Sequence, residues 1–292
     1  MIVATCRKNS ILIVMRVFLT NRKMREAMFA GLFYPEDKAA LLAAVEKALT
    51  LTDPLDNSGA CAILSPHAAL SWAGSIQAQA WVATRGKKLK HIVIFADLPK
   101  SEENCIILPE SSAFDTPLGE VPIDTEICEE LETCGTMFAT NDIPHLQEHA
   151  IEVHLPFIKY LFPQVKIVPV LLAGKDPRIA STMARALDHV FGDKLASTLF
   201  VASSNIGSSI IPEKGSEVAN RILECIETRN IAGLHSLDFE DCRYSVQSIS
   251  TILRMQILEH TACAVLKRLD SGRMRDNSVE NIVHYAAAGW FE

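Results

Sequence analysis

An α/β fold, a single-domain α/β sandwich with a largely parallel central sheet, is predicted by three features of the sequence. Short apolar runs rich in Val, Ile and Leu alternate with longer segments whose apolar residues recur at helical spacing. The 292 residues are 49% hydrophobic and 22% charged, with a mean hydropathy of +0.17. That is enough apolar side chain for a large buried core and too much for a disordered chain. No internal repeat, low-complexity tract or Pro/Ser-rich linker divides the sequence.

Taken in order, Tyr34-Pro35-Glu36-Asp37 opens a helix to about Thr50, with acids in the first turn and Ala39, Leu42, Val45, Ala48 and Leu49 at helical spacing. A loop follows at Asp53-Pro54 and Asn57-Ser58-Gly59. Cys61–Leu64 is a short buried strand, and after Ser65-Pro66-His67 a helix runs to about residue 84. His91–Ala96 and Cys105–Leu108 are expected strands, and Glu126–Cys134 and His145–Leu161 expected helices. Val165–Leu172 is a further buried strand, followed by a helix at 177–191 and a strand at Leu199–Ala202. Two long helices, about 214–229 and 245–269, then precede a last strand at Ile282–Ala288. Trp72, Phe95 and Trp290 sit within apolar stretches and are assigned to the core.

Residues 11–20, ILIVMRVFLT, resemble the apolar region of a signal peptide, but Arg16 interrupts them and no small-residue cleavage site follows. They are also too short to cross a bilayer, which takes about 20 apolar residues. Residues 1–23 are therefore read as an N-terminal extension that adds little to the fold, from an upstream start assignment or as a weak amphipathic appendage. The domain is expected to span residues 24–292.

With 28 basic against 35 acidic residues the net charge is −7. No basic stripe is present, which argues against nucleic acid and against a membrane surface as partners. The eight cysteines form no CxxC pair and no dense framework. Cys61, Cys105, Cys225 and Cys263 lie in or beside apolar runs, as reduced structural thiols do, so a cytoplasmic location is expected. There is no GxGxxG, no GxxxxGK[ST] and no GxSxG, so nucleotide cofactors and a hydrolase triad lack sequence support.

Histidines and acids are left to carry any chemistry. His67 follows a buried strand, at the strand end where ligand and catalytic groups collect in open α/β sheets. The competing reading is a loop histidine satisfied by a hydrogen bond. On a continuous helix His145, Glu148, His149 and Glu152 would share one face, with His154 nearly opposite. Such a set suits metal ligation or an oriented acid/base pair, with Glu152 orienting His149. A solvated polar face with i,i+4 contacts is the commoner origin of such a set. Cys242, between Asp241 and Arg243 ahead of a helix, is either a soft ligand or an ordinary cysteine.

Four segments then occur in a telling order: Ala30-Gly31-Leu32-Phe33-Tyr34-Pro35, Ser65-Pro66-His67-Ala68-Ala69-Leu70-Ser71-Trp72-Ala73-Gly74, Thr116-Pro117-Leu118-Gly119-Glu120-Val121-Pro122-Ile123-Asp124 and Glu148-His149-Ala150-Ile151-Glu152-Val153-His154-Leu155-Pro156-Phe157. Together they resemble the MEMO family, whose bacterial members are called AmmeMemoRadiSam system protein B, with motifs AGxFYP, SPHAGYxYSG, TPLGxxxVD and EHSIExxLPF. The resemblance runs from about Met24 to the end. It implies a fold like that of class III extradiol dioxygenases and a redox-active iron or copper held by two histidines and a cysteine. It also implies metal or redox handling, and in eukaryotic members a phosphopeptide-binding role.

Departures from those motifs fall on site positions. The first metal histidine corresponds to His67 and the cysteine to Cys242. The second histidine, of a GPxH motif, is replaced by Pro99. In the SSDxSHY motif the acid and histidine are replaced by Asn205 and Ser208, and the glycine of SPHAG is Ala68 or Ala69. Proline cannot ligate a metal, and serine cannot serve as an imidazole base. Asp97 lies two residues from the lost histidine and is an alternative oxygen ligand. The expected function is a non-catalytic binding or scaffold member with a degenerate metal site, its protein or small-molecule partner open. The alternative is a metal-dependent redox or dioxygenase-like enzyme with a remodelled site, in which His67, Cys242 and Asp97 hold iron or copper and His149 and Glu152 act as acid/base groups.

Overall fold

The structure is a computed structural model that describes residues 24–237, 242–244, 246–274 and 281–292. The predicted extension at residues 1–23 lies outside the described residues. Along the chain the strands are β1 (Met24–Arg25), β2 (Ala62–Ser65), β3 (His91–Leu98), β4 (Cys105–Leu108), β5 (Ala113–Phe114), β6 (Val121–Pro122), β7 (Phe138–Thr140), β8 (Lys166–Ala173), β9 (Thr198–Ser203), β10 (Ser208–Ser209), β11 (Cys242–Arg243), β12 (Ala262–Asp270) and β13 (Ile282–Phe291). The helices are α1 (Lys38–Thr50), α2 (Leu70–Val82), α3 (Thr125–Glu132), α4 (Asp142–Gln147), α5 (Leu155–Leu161), α6 (Arg178–Phe191), α7 (Pro212–Glu227), α8 (Ile231–His235) and α9 (Gln247–Arg254).

One ten-stranded mixed sheet has the order β11-β10-β13-β2-β9-β3-β8-β4-β7, with β12 paired to β13. Its centre is parallel: β2 pairs with β9, and β3 with both β9 and β8. These strands are the continuous apolar runs of the sequence, and continuity is what burial on both faces demands. Antiparallel pairs flank the centre, β13 against β2 on one side and β4 against β8 on the other. The expected α/β class with a mostly parallel central sheet is what the chain adopts. Pro169, in the middle of β8, is accommodated because its missing N–H falls between the bond from Asp124 N to Ile167 O and the start of the β4 pairing at Leu171.

Helices cover the sheet: α2 packs on β2, β13 and α1, while α9 packs on β3, β9 and α6. The Asp37 carboxylate caps α1 by accepting from Ala40 N at 2.8 Å. Phe95 and Trp290 are fully buried, as expected of core aromatics, and Trp72 is half-buried. Cys61 and Cys225 are buried free thiols, with Cys105 and Cys263 half-buried. No helix among the described residues is long and apolar enough to cross a membrane.

Two expected helices are corrected. The continuous helix at His145–Leu161 does not form: α4 ends at Gln147, Glu148 is extended at φ −111° and ψ 126°, and the chain re-enters helix through a short 3₁₀ turn at Glu152–His154. At the break the Glu148 carboxylate accepts from Ala150 N at 3.0 Å, taking up a donor that a continuing helix would use, and Pro156 then sits at the start of α5, where its missing N–H costs nothing. The expected helix at 245–269 also divides. α9 stops at Arg254 and only a 3₁₀ turn at Gln256–Leu258 follows; the Asp188 carboxylate accepts from Gln256 N and Ile257 N at 3.0 Å each, taking up donors that a continuing helix would use, and Ala262–Asp270 becomes β12. There the long final strand offers a full antiparallel ladder that no local periodicity announces.

Candidate functional site

A cavity of about 350 Å³ opens where the carboxyl ends of β2, β3 and β9 meet, lined among others by His67, Asp97, Pro99, Glu148, His149 and Asn205. This is where the connectivity of an open α/β sheet leaves a crevice. His67 arrives two residues beyond β2 on a loop held rigidly: Gln77 Nε2 donates to the carbonyls of Pro66 and Ala68 at 3.0 Å each. The His67 amide donates to Asn205 Oδ1 at 3.3 Å. Its Nδ1 lies 3.2 Å from Ser203 Oγ at the end of β9. Burial, with His149 beside it, pushes the His67 imidazole down to about 4.

His149 comes from the irregular segment between α4 and the 3₁₀ turn. Its ring stacks on Phe33, with centroids 4.2 Å apart, and Phe29 meets it edge-on at 5.7 Å. Its Nδ1 lies 3.0 Å from Glu148 Oε1. The two imidazoles meet edge to face, with centroids 5.4 Å apart. Burial works against the Glu148 carboxylate, but its bond and charge interaction with His149 hold it below the ordinary carboxylate value. The carboxylate that orients His149 is thus Glu148, its sequence neighbour.

The expected role of Glu152 in orienting His149 directly is corrected by the geometry. Glu152 is fully buried and accepts from Arg25 Nη1, from the amides of Met28 and Phe29 at 3.2 and 2.8 Å, and from Tyr34 Oη at 2.6 Å. It therefore ties down the 25–34 segment, whose turn at Gly31 (φ +79°) presents Phe29 and Phe33 to His149. Glu152 reaches His149 only through that loop. The break after Gln147 also undoes the shared helical face. His145 is buried and its Nε2 bonds Ile107 O at 3.2 Å, while buried His154 has Nε2 3.0 Å from Ser203 Oγ.

Asp97 lines the cavity, but its carboxylate caps α9, accepting from Gln247 N at 2.8 Å and Ser248 N at 2.7 Å. Two oxygens already bonded to amides at a positive helix end are poor metal ligands. Asp97→Ala is expected to cost about 1–2 kcal/mol, the range of a lost helix cap, read as a lower urea midpoint with an unchanged slope. The backbone of Cys242 pairs with Ser209, and its side chain lies outside the described residues.

The iron or copper expected from the sequence was tested against the donors present. Among the described residues no three His, Cys, Asp or Glu side chains converge to hold a metal ion, and protein metal sites take three or more such ligands. Pro99, Asn205 and Ser208, where motif histidines and an acid were expected, all line this cavity.

Sequence reasoning missed Ser203, Arg25 and the two phenylalanines, and it named Glu148 in the polar set without giving it the role of orienting His149. Phe33 and Tyr34 lay in a recognised motif, but nothing local marks Arg25 as the partner of a glutamate 127 residues away.

Residues 25–288 match the family model described as Memo-like protein. The chain is similar to a "MEMO1 family protein" of Caldivirga maquilingensis, 26% identical over 282 residues that cover 92% of this chain and 99% of that protein. A namesake from Thermotoga neapolitana is 27% identical, covering 91% of this chain and 99% of its own length. One from Archaeoglobus fulgidus is 28% identical over 219 residues, covering 71% and 77%.

Proposed function

The chain belongs to the Memo-like protein family, and from that premise we propose that it is a binding or scaffold member whose cavity takes a ligand without metal-dependent chemistry. One observation carries this reading. The positions that depart from the motifs, Pro99, Asn205 and Ser208, surround the same cavity as the retained His67 and His149. The replacements are therefore gathered at one site instead of being scattered over the fold.

What remains is suited to recognition. The two imidazoles are held by stacking, by Glu148 and by Ser203, so little conformational freedom is lost when a ligand binds. Leu98, Pro99 and Val283 give the cavity an apolar side, and Lys100 and Asn205 add polar groups that orient an occupant. The occupant is a small molecule or a side chain of a protein partner.

Metal content decides between this and the redox alternative. Untagged protein grown with added iron and copper, alongside His67→Ala, is expected to carry only background metal in both forms by mass spectrometry. Near-stoichiometric iron or copper that disappears in the variant would overturn the proposal.

A further inference from the structure

We propose that Ser203 is a positioning residue that fixes His67 in the tautomer protonated at Nδ1, leaving a bare Nε2 toward the cavity. The inference rests on the reading of that cavity as a binding site. It follows from counting protons around one oxygen. Ser203 Oγ lies 2.7 Å from the carbonyl oxygen of Ala150, 3.0 Å from His154 Nε2 and 3.2 Å from His67 Nδ1. A hydroxyl has one proton to donate and two lone pairs to accept with.

The Ala150 carbonyl can only accept, so the single proton of Ser203 is committed to it. If the proton turned to either imidazole, two oxygens would face each other at 2.7 Å with lone pairs opposed, in a place without water: Ser203, Ala150 and His154 are all buried. Both imidazoles must then donate to Ser203, His67 through Nδ1–H and His154 through Nε2–H.

The surroundings of His154 agree with this. Its Nδ1 is buried without a hydrogen-bond partner among the described residues, an environment suited to a bare nitrogen and costly for an N–H. For His67, Nε2 has no partner among the described residues while the ring lines the cavity. An imidazole's free nitrogen takes its role from the bond that the other nitrogen makes. Whatever sits against His67 thus meets a lone pair, and the matching chemistry is an N–H or O–H donor or a cation.

The test is a long-range proton–nitrogen correlation spectrum of the ¹⁵N-labelled full chain above the histidine titration range, with His67 signals assigned by their loss in His67→Ala. The expected result is a protonated Nδ1 and a bare Nε2 for His67, with the opposite pattern for His154. Ser203→Ala should move His67 to a majority of the Nε2–H form that free imidazole prefers. Ser203→Thr, which keeps the hydroxyl, should restore the wild-type tautomer.

A wild-type His67 protonated at Nε2, or a tautomer unmoved by Ser203→Ala, overturns the inference. Should the alanine variant not fold, the two wild-type tautomers still decide it. Stoichiometric metal in the assay above would instead overturn the binding role and leave the proton count at Ser203 intact.

Discussion

Replacing Glu152 with alanine should lower the unfolding free energy by about 3–5 kcal/mol, the cost of stranding one partner of a buried ion pair. Arg25 and Glu152 are 2% and 0% exposed. Without the carboxylate, the guanidinium keeps, among the described residues, the carbonyls of His145 and Glu26 and the face of Phe114, 4.6 Å away. The Tyr34 hydroxyl, kept protonated by burial and the neighbouring Glu152, loses its acceptor, as do the amides of Met28 and Phe29. Glu152→Gln should cost less, about 1–3 kcal/mol, because one oxygen still accepts while the new amide N–H₂ confronts another donor.

Urea unfolding measures both losses. A second consequence separates this network from generic core damage: freeing the 25–34 segment should unstack Phe33 from His149 and change the ring-current shifts of that imidazole. The double variant Arg25→Met, Glu152→Leu, which removes the stranded charge, should recover part of the stability, the Tyr34 hydroxyl and the amides of Met28 and Phe29 still lacking their acceptor. A deficit below about 1 kcal/mol for Glu152→Ala, the level of an exposed ion pair, would contradict the buried network.

Acid should begin to destabilise the protein well above the carboxylate range, from about pH 6.5 downward. Burial, with Arg25 nearby, pushes His145 down to about 3, and burial, with His67 and His149 nearby, does the same to His154, both from an ordinary 6.5. The physical cause is visible in each ring. Nδ1 of both is buried without an acceptor among the described residues, so a second N–H has nowhere to donate.

The sign follows from linkage. The folded-state value lies below the unfolded one, so between them the unfolded chain binds a proton that the folded chain refuses. The contribution is complete above about 6.5 and is lost as the pH falls toward 3, at about 1.4 kcal/mol per pH unit for each histidine. Two units below the ordinary value the pair removes about 5 kcal/mol, comparable to the whole stability of many domains. Urea midpoints should therefore decline steadily from neutral pH downward, and His154→Gln should remove about a third of the slope, since His67, pushed down to about 4, loses stability over the same range. A flat profile across the histidine range would refute the assignment.

Much of the architecture was legible because burial writes itself into composition. A strand covered on both faces must be apolar throughout, and β3, β8 and β9 are recognisable for that reason alone. An amphipathic segment such as α6 or α7 repeats its apolar residues at helical spacing because one face is wet. His67 and His149 were found through motifs, and both line the cavity.

The breaks at Glu148 and beyond α9 were not legible. Helical spacing continues across them, and the causes are a glutamate turning back on its own backbone at Glu148 and, beyond α9, a carboxylate from α6 and a ladder to the last strand. Periodicity reports which side chains leave water; it does not report whom they meet. The sequence by itself determined the α/β class, the parallel core and the imidazole of His67 at a strand end. Only the tertiary structure decided that Glu152 answers Arg25 and Tyr34, that Glu148 takes His149, that Asp97 caps a helix and that one serine hydroxyl serves two histidines. Apart from the neighbours Glu148 and His149, those pairings are set by charge and hydrogen-bond geometry between groups far apart in the chain, and such groups leave no local pattern.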